Sequence, residues 1–393
     1  MNIDNKIICG NCGSGDVSVI DEIDGDKEVI LTSDARIISN ARALRTLCRD
    51  CACIEVHFIP PERLSSFYEN EYVISDRVQN HFIVVNNETR EKHEYITSSL
   101  MGKLDSLPGK GEFLEIACGS GSLVRYFRDK NPGWKCFGID PSFNSPGGLD
   151  GYGDGITFIR DFFSEDYFSD VSFDIIVAHG FFNRSPVLPA LKRIKKIVKK
   201  GTLMSLEFMV LEDSECTPCV WDHTYMYMKK TFYSYLDHAG FKVMYEKNLG
   251  PSYHIVCRYM GEKDFTGTFT AGGDDASSAL QLYYGHQEWW NNSVSGFISG
   301  IKDNPDRTIC LFGAGMYSAV LLNSGSDISV DYIIDEIKYG SDFHGIPVIN
   351  LHEASLVKDL HVLLFSRPVY LNTMRKKLEE YSIEYCTINY SSP

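Results

Sequence analysis

The stretch that most constrains this chain is Gly111-Glu112-Phe113-Leu114-Glu115-Ile116-Ala117-Cys118-Gly119-Ser120-Gly121, followed by a helix-like run from Ser122 to Phe127. A short apolar strand that runs into a glycine turn and then a helix is the opening unit of a parallel α/β sheet. Glycines at the turn let the backbone approach a ligand closely. The helix start behind them presents unpaired N–H groups and a partial positive charge. The spacing bears on the ligand. A dinucleotide loop takes a third glycine three residues after the second, for close helix–strand packing, and that position is Val124. Glu115 instead stands four residues ahead of Gly119, so an acid precedes the glycines.

An acid so placed resembles the E/D-x-x-x-G-x-G loop of the class I methyltransferases, which bind S-adenosylmethionine. The resemblance implies that Glu115, Ala117, Gly119, Ser120 and Gly121 lie under the methionine end of the cofactor. It assigns the ribose hydroxyls to Asp140, which closes the strand-like run Lys135-Cys136-Phe137-Gly138-Ile139-Asp140, and the adenine to Asp161, Phe162 and Phe163. A further buried-strand pattern, Phe173-Asp174-Ile175-Ile176-Val177-Ala178-His179, ends in a polar residue. Ligands bind beyond the C-terminal ends of parallel strands, which puts Ala178 against the cofactor and His179 over it. The helix expected next, Val187 to Lys200, carries six basic residues that read as a solvated face, with Gly201 to Phe208 as the following strand.

Ahead of this core, Cys9-Gly10-Asn11-Cys12 and Cys48-Arg49-Asp50-Cys51 are two C-x-x-C knuckles. Two residues between cysteines let both sulfurs reach one tetrahedral Zn²⁺ at about 2.3 Å. Cys9, Cys12, Cys48 and Cys51 are the expected ligands, with Cys53 able to replace Cys51. Four thiolates leave no open position, so the zinc would be structural. The 35 residues between the knuckles exceed a usual ribbon spacing and call for an insertion, expected as a hairpin around Asp24-Gly25-Asp26.

At 393 residues the chain exceeds one ordinary core. The expected division is a zinc-binding segment at 1–85, an α/β core at 86–260, a Gly-, Thr- and Asp-rich linker at 261–277 and a second Rossmann-like α/β domain at 278–393. That last domain opens with a helical stretch from Ala279 to Ile301 and then repeats the strand–glycine–helix unit at Thr308 to Ala319. There Gly313-Ala314-Gly315 is followed by a strand ending in Asp335, and the loop could hold a phosphate. A formal charge of −15 argues against nonspecific binding to nucleic acid or an anionic membrane. No apolar run is long enough to span a bilayer and no signal region opens the chain, so a cytoplasmic protein with reduced cysteines is expected.

Two knuckles, a methyltransferase core and a Rossmann-like domain, in that order, resemble the sugar C-methyltransferases of antibiotic and polysaccharide pathways, of the tetronitrose and mycarose C-3′ type. The marks are the paired knuckles, the segment from Tyr72 to His81, Leu114 to Gly121, the region of Trp221-Asp222-His223, and Phe312 to Gly315 followed by Asp335. The resemblance implies a nucleotide-linked keto sugar as substrate. His223 would be the base, Asp222 would orient or charge it, and Tyr72 and His179 would line the acceptor pocket. Val220, Trp221 and Ile74 depart from the family pattern, and Asn183-Arg184 stands where the family has Ala-His. These changes sit in the pocket and leave the cofactor loop intact. O-methylation, a nicotinamide oxidoreductase built on Gly313 to Gly315, and a catalytically silent zinc-containing assembly protein are the competing readings.

Overall fold

The computed structural model describes residues 7–25, 30–38, 41–72, 82–85, 88–102, 109–142, 155–213, 220–249, 252–261, 269–271, 273–303, 306–323, 328–366 and 368–387. Asp26, Ile74 and His81, singled out above, lie outside them. The chain divides into two compact units. One takes Met1–Glu22, Ala43–Ser214 and His223–Leu282; the other takes Ile23–Arg42, Glu215–Asp222 and Tyr283–Pro393.

The first unit is built on a seven-stranded sheet. Its strands are β1 (Glu112–Ile116), β2 (Lys135–Ile139), β3 (Ile156–Ile159), β4 (Phe173–His179), β5 (Val198–Met209), β6 (Phe241–Asn248) and β7 (Ser252–Tyr259), in the spatial order β3-β2-β1-β4-β5-β7-β6. The first five run parallel, and β7 and β6 close one side as an antiparallel hairpin. Strand order reverses between β1 and β4, which opens a ligand crevice beyond their C-terminal ends.

Strand β4 is buried on both faces, so its apolar run is nearly continuous, while edge strand β6 alternates half-buried and exposed residues after the buried Phe241. On one face Phe113, Ile175, Val177 and Leu203 pack against α1 (Lys92–Met101) and α2 (Ser122–Lys130). On the other Leu114, Ile116, Ile176, Ala178 and Met204 pack against α3 (Val187–Ile194) and α4 (Lys229–His238). The two-residue period of a strand produces this partition. Phe127 of α2 stacks on Phe113 with ring centroids 4.2 Å apart. Helix α3 stops six residues short of the expected Lys200, giving way to a short 3₁₀ turn and then β5.

The knuckles belong to this unit. Strands Val17–Asp24, Arg42–Cys48, Ile54–Ile59 and Tyr225–Met226 form a separate four-stranded sheet. Their cysteines share one buried cluster with the residues of α3 and α4. Asn11 Oδ1 accepts from Leu188 N at 3.0 Å, capping the first turn of α3 from within a knuckle. Tyr235 of α4 donates to Cys51 O at 2.7 Å.

The second unit holds α5 (Gly273–Lys302) from Tyr283 onward, then β8 (Thr308–Phe312), α6 (Met316–Leu322), β9 (Tyr332–Ile334), β10 (Asp342–Phe343), β11 (Ile346–Ile349), α7 (Leu351–Ser355), β12 (Leu360–Leu364), α8 (Pro368–Glu380) and β13 (Tyr385–Thr387). The sheet order is β10-β11-β9-β8-β12-β13, parallel except for edge strand β10. Helix α5 begins inside the expected linker. The middle of the insertion between the knuckles, Ile23–Arg42, also belongs here. The chain turns at Gly25, whose N–H donates to Ala41 O at 2.9 Å, and the hairpin lies further on, between Ile30–Leu31 and Ile37–Ile38. Leu31 and Ala35 are buried in the same cluster as Trp290, Phe297 and Leu311. Among the described residues no helix is long and apolar enough to cross a membrane.

Candidate active site

Strand β1 delivers its chain into a loop whose residues Ala117, Gly119 and Gly121 have φ of 58°, 55° and 75°. At Gly121 the requirement is steric as well as conformational, because a Cβ there would lie 2.3 Å from the Phe158 ring. Asp140, at the tip of β2, latches this loop. Its Oδ2 accepts from Gly119 N at 3.0 Å, and its Oδ1 accepts from Ser142 N at 2.8 Å. Arg125 donates to Ser120 O at 2.6 Å.

Glu115 is only 7% exposed; a backbone hydrogen bond from Val124 reaches its carboxyl, while Oε2 is buried with no hydrogen-bond partner among the described residues. Burial, opposed by the Lys92 cation and reinforced by the Asp140 carboxylate, lifts its pKa to about 8. A buried carboxylate oxygen left unsatisfied is costly in a folded protein. The ammonium of an amino-acid ligand would satisfy it, so the donor set fits the methionine end of S-adenosylmethionine. Of the three residues expected at the adenine, Phe162 is 40% exposed, while Phe163 is buried with its ring 6.1 Å from Phe181. Asp161 accepts from Phe162 N and from the Tyr167 hydroxyl. Ala178 is fully buried within β4.

His179 and Glu207 are register partners at the ends of β4 and β5. The His179 ring turns inward: Nε2 lies 3.0 Å from Ser205 Oγ, and Nδ1 faces Glu207 Oε2 at 3.7 Å. Ser205 Oγ also lies 2.9 Å from His254 Nε2. Lys92, the first residue of α1, pairs with Glu207 at 3.1 Å, and Ser252 donates to the other Glu207 oxygen at 3.0 Å. Burial pushes Glu207 up, but Lys92, His179 and the hydrogen bonds outweigh it and bring the pKa down to about 2. Burial holds the His179 imidazole well below its usual range despite Glu207, and brings His254 down to about 4. The cluster at neutral pH is therefore a charged Lys92–Glu207 pair beside two neutral imidazoles. Helix α1 also meets α2, with His93 Nε2 3.3 Å from Ser122 Oγ. Lys92, His93 and Glu207 were missed in the sequence; they belong to no motif and come together only through the fold.

Tyr72 lies in an aromatic group, with centroids 5.6 Å from Phe67 and 5.2 Å from Tyr68. The Tyr68 hydroxyl accepts from Arg184 Nε at 2.8 Å, and Arg184 also donates to Gly180 O just beyond β4. The structure thus joins Tyr72 to the Asn183-Arg184 departure. Asp222 is fully buried, and both its oxygens accept from Ser33, at 2.7 Å from the backbone and 2.6 Å from the hydroxyl. His223 is 2% exposed.

The sulfurs of Cys9, Cys12, Cys48 and Cys51 all lie within 4.8 Å of one another, with Cys9–Cys51 at 3.7 Å and Cys12–Cys48 at 3.6 Å. A tetrahedron with 2.3 Å bonds has edges of about 3.8 Å, so the quartet suits a tetrahedral metal. The Cys53 sulfur stays outside this quartet and faces Ile54 O.

Residues 89–246 match the methyltransferase domain family. The chain carries a methyltransferase domain. Its sheet is the class I methyltransferase fold, and the matched stretch holds the glycine loop, Asp140, His179 and His223. No curated protein matches the chain. Solved structures similar to it include a chain of the complex between the Haloferax volcanii Trm112 methyltransferase activator and a methyltransferase. That pair is 16% identical, covers 43% of this chain and 91% of that one, and has a TM-score of 0.35. A Burkholderia thailandensis 1,6-didemethyltoxoflavin-N1-methyltransferase with bound 1,6-didemethyltoxoflavin and S-adenosylhomocysteine is 14% identical, with coverage of 43% and 78% and a TM-score of 0.34. An S-adenosylmethionine-dependent methyltransferase from Aquifex aeolicus is 16% identical, with coverage of 41% and 88% and a TM-score of 0.33.

Proposed function

We propose that this methyltransferase moves a methyl group from S-adenosylmethionine to a carbon of a nucleotide-linked keto sugar, with His223 as the base. The observation that carries the reading is the unsatisfied Glu115 oxygen beneath a glycine loop inside the matched domain. The acceptor class rests on the order of knuckles, core and Rossmann-like domain, and on the Tyr68, Tyr72 and Arg184 group beside β4.

When bound, the cofactor supplies an electrophilic methyl on a sulfonium. The protein's work is alignment and removal of one proton. Glu115 would hold the ammonium, and Asp140 would take the ribose hydroxyls on lone pairs left after its bond to Gly119. His223 would take the proton from the carbon next to the keto group. The carboxylate of Asp222, the residue before that base in the sequence, is held by Ser33. The four-cysteine quartet would hold Zn²⁺ with no position left for substrate, supplying folding energy and no chemistry.

The test is methyl uptake from labelled S-adenosylmethionine across a panel of nucleoside-diphosphate keto and hydroxy sugars. His223→Ala is expected to lower turnover about 10²–10⁴-fold while S-adenosylhomocysteine affinity stays near wild type. Unchanged turnover removes His223 from the mechanism, and uptake by hydroxy sugars alone removes C-methylation.

A further inference from the structure

Among the described residues 220–228, the segment that carries His223 has one short strand, Tyr225–Met226. Within the first unit it is held from two sides. On the first, the knuckle sheet adds this strand as its fourth member, pairing Tyr225 with Glu55 and Met226 with Ile54. Val56 N donates to Thr224 O at 2.9 Å, one residue from His223. On the second, Asn183 links the segment to the methyltransferase sheet. Its backbone carbonyl accepts from Tyr225 N at 3.1 Å. Its side chain donates to Met209 O at 3.0 Å and to Tyr225 O at 3.4 Å, and accepts from Met209 N at 2.8 Å. Met209 is the last residue of β5.

Glu55 closes the chain of contacts back to the cysteines. Its carboxylate, 7% exposed, accepts from Gly10 N at 2.8 Å and from the Tyr225 hydroxyl at 3.1 Å. Gly10 lies between ligand candidates Cys9 and Cys12, and a Cβ there would come within 2.5 Å of Glu55 Oε1 and 3.0 Å of the Tyr225 hydroxyl. His57 stands by at 3.7 Å. A buried carboxylate held mainly by neutral donors is a costly way to pack a strand, and an apolar residue would serve stability as well or better. What it gives is a fixed position.

We infer that Glu55 and Asn183 are positioning residues for His223, and that the cysteine knuckle thereby helps set the geometry of the base. The claim rests on His223 being that base. A displacement of about 1 Å in such a group can cost about 10²-fold in rate, so small losses of anchoring should show in turnover before they show in folding.

The test uses the full-length, zinc-loaded protein with a nucleoside-diphosphate 4-keto sugar as acceptor. The variants are Tyr225→Phe, Glu55→Gln and Asn183→Ala. Tyr225→Phe removes one hydroxyl and keeps the ring, so it is the variant least exposed to misfolding. It is expected to lower kcat about tenfold, with KM, S-adenosylhomocysteine affinity and zinc content within twofold of wild type. Asn183→Ala should lower kcat further. The second readout is the His223 ring signal in ¹H–¹³C spectra, assigned by its loss in His223→Ala, which should shift in Tyr225→Phe and Glu55→Gln. Wild-type kcat and an unmoved ring signal in both, with His223→Ala inactive, would overturn the positioning claim alone. An active His223→Ala would overturn the base assignment and this inference with it.

Discussion

The chain carries two strand–glycine–helix units, and setting them side by side shows one with a buried acid oxygen left unsatisfied and one whose polar groups are paired among themselves. Both have a glycine turn and an acid at the tip of the neighbouring parallel strand. Asp140 accepts from Gly119 N at 3.0 Å in the first, and Asp335 accepts from Ala314 N at 3.0 Å in the second. The latch is therefore common to both and identifies neither. Below the first loop lies Glu115, with a buried oxygen left unsatisfied. Four residues before the first glycine of the second loop stands Ile309, a core residue. The second loop is also occupied by its own side chains: Lys338 Nζ donates to Ala314 O at 2.6 Å and Ser318 Oγ to Gly313 O at 2.6 Å. Its helix is seven residues long against nine in the first. A loop that satisfies itself packs a helix on a strand. A loop with one oxygen of a buried acid left unsatisfied is, under the proposed function, a loop for a ligand.

Paired substitutions can break or sharpen this contrast. The largest effect is expected for Gly121→Ala. The new Cβ would lie 2.3 Å from Phe158 at a φ of 75°, and the loop cannot shift without moving its amides. S-adenosylhomocysteine affinity, measured by calorimetry, should fall at least about 10²-fold, the scale of a 1 Å misplacement. Asp140→Asn keeps the side chain's size and removes its charge, and should weaken binding about tenfold, in the range of a lost charge-assisted hydrogen bond. The matching changes in the second loop should leave that affinity untouched. In Gly313→Ala the Cβ meets only Met374 at 3.5 Å, and a φ of 103° adds strain of about 1–3 kcal/mol that thermal melting would register. Asp335→Asn should move melting by less still. A tenfold loss of S-adenosylhomocysteine binding in either second-loop variant would erase the distinction.

The first strand–glycine–helix unit was legible because its signals are local: an acid, glycines and a strand within eleven residues, Gly111 to Gly121. The knuckles were legible for the same reason, and their wide spacing announced an insertion. What the spacing could not say is that this insertion is buried with Trp290 and Phe297 in the second unit's core. Long-range pairings were the other gap. Lys92 and Glu207 meet across 115 residues of chain, and no pattern near either one marks the pair. Adjacency was a poor guide at Asp222-His223, where the carboxylate turns to Ser33. At His179 the strand pattern gave the right place, the end of β4, while the ring's direction toward Ser205 depends on a neighbouring strand. Phe163 and Ala178 follow the same rule, since a position in a motif does not say which side faces the core.

The most direct test concerns the protonation of Glu115. With a folded pKa of about 8 against an ordinary 4.5, this group binds a proton in the folded state through the interval between those values. It therefore opposes stability increasingly as pH rises through that window, and a ligand ammonium relieves the cost. The measurement is calorimetric titration of S-adenosylhomocysteine at pH 6.5 in buffers of different ionisation enthalpy, on wild type and Glu115→Gln. Wild type should release about one proton on binding, while the variant should release none and bind about tenfold more weakly, as expected for a lost charge-assisted contact. Equal affinity in the two proteins, with no proton released by wild type, would contradict the assignment of this loop to the cofactor.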